Sequence, residues 1–449
     1  MTISLEERIY GLSLIWREAK YNFANWDEIP ELDWDRAYQE ALPRVIAEEN
    51  PYLYYRELQK FVTLLRDGHS WVSLPNELNP KWDEDYSPIA TSYIEGKHVL
   101  MEVPEDCGVP LYSEIVSINN IPLQEYLEKH IFPYQWHEKP DSIFRHGLLS
   151  YTIYQQEKGS VTIGMENGCF TYIHGEKTKT VAGNWASSLM GDAIKSLNVV
   201  FESDAVNLET TIDNIGSIYV PDFRHDDLKE KLYANIDVIK NCAGFIIDMR
   251  WNSGGNSDNA CALAQLFIDD SFREEVSDSP LYIANYGAYG QYRALDKLDL
   301  SKPWDKKVYD IKTHQSFNRE SAEKQFDDCP VYLNQPVVIL AGSDTASAAE
   351  HFLSVMKMNT KAVIVGTPSY GSNGQPYFGQ LPGSGRYAIC THKCYDTEGN
   401  NYWNTGIKPD IFAENTIQSH IDKFDAVFDK GLSILRETIK RDLMSGLSE

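Results

Sequence analysis

The chain has 449 residues, 42% of them hydrophobic and 24% charged, and a net charge of −25, a composition that fits an ordinary globular protein of two or three domains. So acidic a chain, with no dense Lys/Arg cluster, argues against nucleic acid as a partner, because a phosphate backbone requires a basic face. No apolar run approaches the roughly 20 residues needed to span a bilayer, and seven cysteines, an odd count at low density, argue against a disulfide framework.

Residues 1–78 read as an N-terminal helical region. The opening "MTISLEERIYGLSLIWREAKYNF" carries early charges and lacks the unbroken apolar core of a secretory signal. A cytoplasmic setting is therefore expected; a leader removed from a longer precursor would make the protein exported instead. Ile9, Leu12, Ile15, Trp16 and Ala19 share one face at helical spacing. Two more helical patterns follow, the last stopping at Gly68. Residues 79–204 form a β-rich region with short strand-like runs such as "IATSYIEGKHVLMEV" and "SEIVSINNIPL".

Residues 205–449 alternate strand and helix. "CAGFIIDMRW" is a continuous apolar run, as expected of a strand buried on both faces. "PVVILAG" leads into the helical "TASAAEHFLSVMKM", and "KAVIVG" into a Gly-rich loop. This βαβ rhythm predicts an α/β core. The Tyr-rich, charged stretch near 283–330 reads as an irregular insertion across it.

Three segments of this chain carry side chains suited to chemistry. In "AGSDTASAAEHF" the hydroxyls are Ser343, Thr345 and Ser347. Ser347 would sit in the first turn of a helix, where free N–H groups and the positive helix end favour a developing negative charge. The alternative is that Asp344 or Thr345 caps the helix and Ser347 is merely tolerated. "DMRWNSGGNSDNA" ends a buried strand and places Gly254 and Gly255 at a turn whose N–H groups could cradle an oxyanion. It lacks the Lys-Ser/Thr of a P-loop, so nucleotide binding is disfavoured; a turn that merely needs glycine is the competing reading. "LLRDGHSWVSL" places His69 between a helix and a strand, where a general base is commonly held.

Together these segments resemble peptidase family S41, the C-terminal processing proteases and the tricorn core. "GFIIDMRWNSGG" is similar to the family's D-x-R-x-N-x-G-G strand end, and "GSDTASAAEHF" to its S-A-S-A-S-E nucleophile segment. "GIKPDI" is similar to its closing G-I-x-P-D-I. The resemblance implies a crotonase/ClpP-like α/β core, Ser347 as nucleophile, and an oxyanion hole from the backbone of Gly254, Gly255 and Ala348. C-terminal processing proteases have a lysine base in the loop that here reads "SYGSNG", where Ser372 takes its place. The tricorn-like branch draws a histidine from a D-G-H-[ST] segment, which makes His69 the expected base. That branch has a Glu shortly before the closing motif. Here Trp403 or Asn404 occupies the spot, and Glu398 is the nearby carboxylate expected to serve, against the reading of "DTEG" as a solvated turn.

The stretch "GVPLYSEIVSINNIPLQEYLEKH" is similar to a PDZ segment, with departures at Leu111–Glu114 and at Asn120. "CTHKC" would place Cys390, His392 and Cys394 on one face of a strand. Ligand spacing of two is uncommon for zinc and no fourth ligand is evident, so no metal is expected. Nor is any cofactor. The expected function is that of a serine peptidase cleaving peptides or unfolded proteins through an acyl-enzyme, with a homo-oligomer left open. The alternatives are a non-catalytic S41-like protein that binds peptide or hydrophobic ligand, and an acyl-CoA enzyme, for which basic residues are wanting.

Overall fold

The computed structural model describes residues 1–78, 87–135, 139, 143, 148–184, 198–211, 213–269, 271–325, 329–372, 374–396 and 398–446. Residues 79–86 and 185–197 of the expected middle region, and residue 373 of the Gly-rich loop, lie outside them.

Helices α1 (Leu5–Asn22), α2 (Trp34–Ala47) and α3 (Pro51–Thr63) open the chain. Each begins where a polar side chain satisfies free N–H groups. Ser4 and Glu7 form a reciprocal capping box. Asp33 caps α2, and Asn50 caps α3 just before Pro51. Leu12, Ile15, Ala19, Leu58 and Phe61 meet in a core that also takes in Leu381, Tyr387 and Ile389 from far along the chain. After α3 the chain passes through Asp67-Gly68-His69 into β1 (Trp71–Ser73). The expected helical region thus ends in a strand that pairs with the C-terminal half.

The middle region has its own core, including Leu100, Ile118, Tyr126, Ile153 and Ile163. A four-stranded antiparallel sheet contains Ile115–Ile118 and Ser160–Met165, with helices Leu123–His130 and Leu148–Gln156. The strand Lys97–Pro104 buries His98, and burial pushes its pKa down to about 4. Below pH 6.5 the unfolded chain binds a proton that the folded chain refuses, so stability falls from pH 6.5 to 4 and then levels off. The loss is on the order of 3 kcal/mol. His98→Phe should make that slope shallower, the other histidines held below their usual pKa keeping their share, when denaturant unfolding is followed across this pH window.

The C-terminal half is built on a seven-stranded sheet. Its strands are β2 (Asn198–Phe201), β3 (Asn207–Thr210), β4 (Ile215–Tyr219), β5 (Gly244–Asp248), β6 (Val337–Ala341), β7 (Val363–Gly366) and, after a hairpin of β8 (Pro376–Gln380) and β9 (Arg386–Cys390), β10 (Ile411–Phe412). The order is β10-β7-β6-β5-β4-β3-β2, parallel from β10 to β4 and antiparallel beyond. The core therefore starts before the expected boundary at 205, because β2 pairs with β3. Helices α4 (Ser257–Gln265) and α5 (Ala348–Asn359) cover one face of the sheet, and α6 (Ala426–Gly446) the other. Alternation along the strands sends Phe245, Ile247 and Ile339 to the first face and Ile246, Val338 and Leu340 to the second.

Two further sheets carry the functional loops. β1 pairs antiparallel with β9, and β9 with β8, which ties the His69 loop to the core. The insertion is not irregular: it holds helices Ala284–Gly290 and Pro303–Lys312 and the strand Phe317–Glu320. That last strand pairs with Val276–Pro280, which in turn pairs with Lys393–Tyr395. "CTHKC" is accordingly not one strand. Cys390 ends β9, whereas Cys394 lies in a different sheet.

Candidate active site

Ser347 caps α5 with φ 55° and ψ −124°, a region costly for a residue with a side chain, by about 1–3 kcal/mol. The surroundings impose it. Ser347 N–H donates to Ser372 O at 3.0 Å and to Glu350 Oε2 at 3.2 Å. Glu350 is buried and also accepts from Ser369 Oγ (2.5 Å), Gly371 N–H (2.6 Å) and Ser372 N–H (3.0 Å). Burial pushes its pKa up despite these donors. One carboxylate thereby fixes the nucleophile segment against the 369–372 loop. Thr345 is buried and structural: its hydroxyl donates to Met249 O and accepts Gly342 N–H, each at 2.9 Å. Of the three hydroxyls in this segment, Ser347 alone lines the cleft.

The strand end after β5 sets the backbone beside Ser347. Asn252 donates to Val220 O at 3.1 Å, and its carbonyl accepts Ala346 N–H at 3.0 Å. Its side-chain oxygen also accepts Gly254 N–H at 2.9 Å. This corrects the expected oxyanion hole, since the Gly254 N–H is already taken. Gly254 matters for space: at φ 95°, a Cβ there would lie 2.6 Å from Ser347 Cβ and 2.9 Å from Ala348 N. Among the described residues, the N–H groups of Gly255 and Ala348 donate to no protein acceptor, which leaves these two for an oxyanion.

His69 arrives on the loop between α3 and β1, and its Nε2 lies 3.2 Å from Ser347 Oγ. On the other side of the ring, Nδ1 is in hydrogen-bonding contact with Ser372 Oγ. The loop itself is braced by buried groups. Asp67 accepts from Trp403 Nε1 at 2.9 Å, Asn404 Nδ2 donates to Arg66 O at 2.7 Å, and Ser70 Oγ accepts Cys390 N–H at 3.0 Å. Burial holds the Asp67 carboxyl above the usual range. Trp403 and Asn404, at the place where a Glu was expected, thus hold the loop that carries the imidazole.

Glu398 is not brought to this site. It is exposed on the turn at 396–400, where its N–H donates to Asp396 Oδ1 at 2.9 Å and its Oε2 accepts from Asn400 at 3.2 Å. Asp396, Glu398 and Asn400 satisfy one another locally. The group beyond Nδ1 is Ser372, which the sequence marks only as the residue lacking a lysine's chemistry. A hydroxyl can donate or accept and carries no charge, so it orients the ring without fixing its tautomer and stabilises the imidazolium weakly. Ser372→Ala should lower kcat by about tenfold, the worth of one neutral hydrogen bond, with KM little changed in steady-state peptide cleavage.

The cleft over Ser347 has a volume of about 600 Å³. Trp71 and Phe378 supply apolar surface, Arg224 a positive charge, and Glu274, Glu275 and Glu320 negative ones. Strand β8 lies at the edge of its sheet and contributes Pro376 and Phe378 to the wall.

Fold and site define a class: an α/β protein whose serine and histidine meet beside two open backbone donors. Residues 214–413 match the model of peptidase family S41, and this segment belongs to that family. The chain is similar to the carboxy-terminal-processing protease of Bartonella bacilliformis, 24% identical over 197 residues (44% of this chain, 36% of the relative). It is likewise similar to the carboxy-terminal processing protease CtpA of Bacillus subtilis, 22% identical over 240 residues (52% of this chain, 43% of the relative). The chain thus spans about two fifths of the length of these curated relatives. In fold it resembles the crystal structure of mature CPAF, with a TM-score of 0.67 at 15% identity over 97% of both chains. A putative peptidase from Parabacteroides merdae has a TM-score of 0.52 at 15% identity over 96% of both chains.

Proposed function

We propose that the protein is a serine peptidase that hydrolyses peptide bonds of unfolded chains. The observation that carries this reading is the 3.2 Å approach of His69 Nε2 to Ser347 Oγ beside the untaken N–H groups of Gly255 and Ala348. With its proton on Nδ1 facing Ser372, His69 has a lone pair on Nε2 to accept the Ser347 hydroxyl proton as Oγ attacks the carbonyl carbon. The two N–H groups receive the negative oxygen of the tetrahedral intermediate. Its collapse breaks the C–N bond, and His69 Nε2–H protonates the departing amine. A water then repeats the sequence on the acyl-enzyme and releases Ser347 and a carboxylic acid.

Extended substrates are favoured because the edge strand β8 can pair with a peptide backbone only when that backbone is unfolded. The test compares one protein in its folded state and in a reduced, alkylated, permanently unfolded state. The unfolded form should be cut by the parent and left intact by Ser347→Ala. Equal cutting of both forms would refute the substrate class. Cutting by Ser347→Ala would refute the mechanism, and binding by the parent without cutting would favour a non-catalytic protein.

A further inference from the structure

One turn into α5 from Ser347, a second cluster opens onto the same cleft. His351 Nε2, Cys261 Sγ and Glu274 Oε1 converge from three elements: α5, α4 and the turn before the strand Val276–Pro280. Sγ and Nε2 are 3.4 Å apart, Sγ and Oε1 3.5 Å, and Nε2 and Oε1 3.3 Å. Only two hydrogens, those of the thiol and of Nε2, are available for three mutual contacts. A tetrahedral ion with bonds of about 2.0–2.3 Å sets such donors about 3.3–3.6 Å apart. The three edges match one face of that tetrahedron.

The groups around the triangle are arranged as a metal site requires. His351 Nδ1 is 2.9 Å from Glu275 Oε1, and Glu275 Oε2 accepts from Tyr402 OH at 2.8 Å. When an ion displaces the Nε2 hydrogen, the proton on Nδ1 donates to that carboxylate and the Nε2 lone pair faces the ion, the carboxylate–histidine–metal arrangement. Lys324 lies 3.7 Å from Glu274 Oε1, but its ammonium is anchored to Asp258 Oδ1 at 2.5 Å and can leave Glu274 without losing its counter-charge. His351 and Glu274 line the cleft and give an ion an entry path.

We propose that Cys261, Glu274 and His351 form a zinc-class metal site, with a fourth position open to the cleft, through which Zn2+ reversibly blocks substrate. Thiolate, imidazole and carboxylate together suit Zn2+ over Mg2+ or Ca2+. The site differs from the "CTHKC" cluster weighed from the sequence, and its ligands come from segments 90 residues apart along the chain.

The test titrates Co2+ and then Zn2+ into the full chain, reading the thiolate-to-cobalt absorption band and the bound metal after dialysis. The parent and Ser347→Ala should bind one ion per chain and show the band, and Zn2+ should inhibit peptide cleavage by the parent. Cys261→Ser should lose the band and Zn2+ inhibition while retaining its thermal melt. Glu275→Gln should weaken binding about 10–100-fold through the histidine alone, and Cys394→Ser should leave the band in place. A parent that binds no ion, or a folded Cys261→Ser that keeps the band, overturns the proposal. If Cys261→Ser does not fold, unchanged affinity in Glu274→Gln overturns it equally.

Discussion

Ser347→Ala is expected to lower kcat/KM for peptide cleavage by about 10³–10⁵-fold, and His69→Ala by nearly as much. Residues that act as one unit lose their function together, so the double variant should be no slower than the worse single one. The range lies below the roughly million-fold effect seen where a buried carboxylate completes the triad. Here Ser372 stands against His69 Nδ1 and brings no charge to stabilise the imidazolium. The remaining rate in either variant would come from substrate binding and from the N–H groups of Gly255 and Ala348. Steady-state kinetics on the four proteins checks this; independent, multiplying losses would show that Ser347 and His69 do not act together.

The second large effect is structural. Arg250→Ala is expected to cost about 3–5 kcal/mol, because removing one member of a buried charge cluster leaves the others unpaired. The guanidinium bonds Asp248 through Nε at 2.9 Å and Nη2 at 2.6 Å, and reaches Asp425 through Nη1 at 2.8 Å. All three side chains are buried, so the alanine variant strands two neighbouring carboxylates. The cluster joins the end of β5 to the start of α6, two residues before Asn252 positions Gly254 and Ala346. Urea unfolding should show a lower midpoint in Arg250→Ala. Adding Asp248→Asn and Asp425→Asn should restore part of the loss. An unchanged midpoint, or no gain from the added substitutions, would mean that the charges are relieved by water.

What the sequence disclosed, and what it did not, follows from the range of the contacts. The buried strands β5 and β6 are legible because both faces are apolar, so the run is unbroken. Ser347 and the double glycine stand out because each sits at a strand end followed by a helix, a local pattern. His69 is legible only through resemblance to a family, since its bond to Ser347 joins residues 278 positions apart. Ser372 reads as an absent lysine; its contact with His69 spans 303 positions, and no local pattern reports that. Glu398 is chosen by proximity in sequence, but its turn is closed by its own neighbours and keeps it in solvent. Gly254 illustrates a finer limit. The sequence shows that a glycine is needed, and only the Asn252 side chain shows why its N–H is not free. The metal-like triangle is likewise invisible, because Cys261, Glu274 and His351 belong to three separate elements.

The most direct measurement is the site and rate of covalent modification by a fluorophosphonate, mapped by peptide mass spectrometry. This reagent reports an activated serine without requiring a known substrate. A single adduct on Ser347, formed far more slowly in His69→Ala and absent in Ser347→Ala, is the predicted result. An adduct on another serine, or an undiminished rate in His69→Ala, would contradict the pairing of Ser347 with His69.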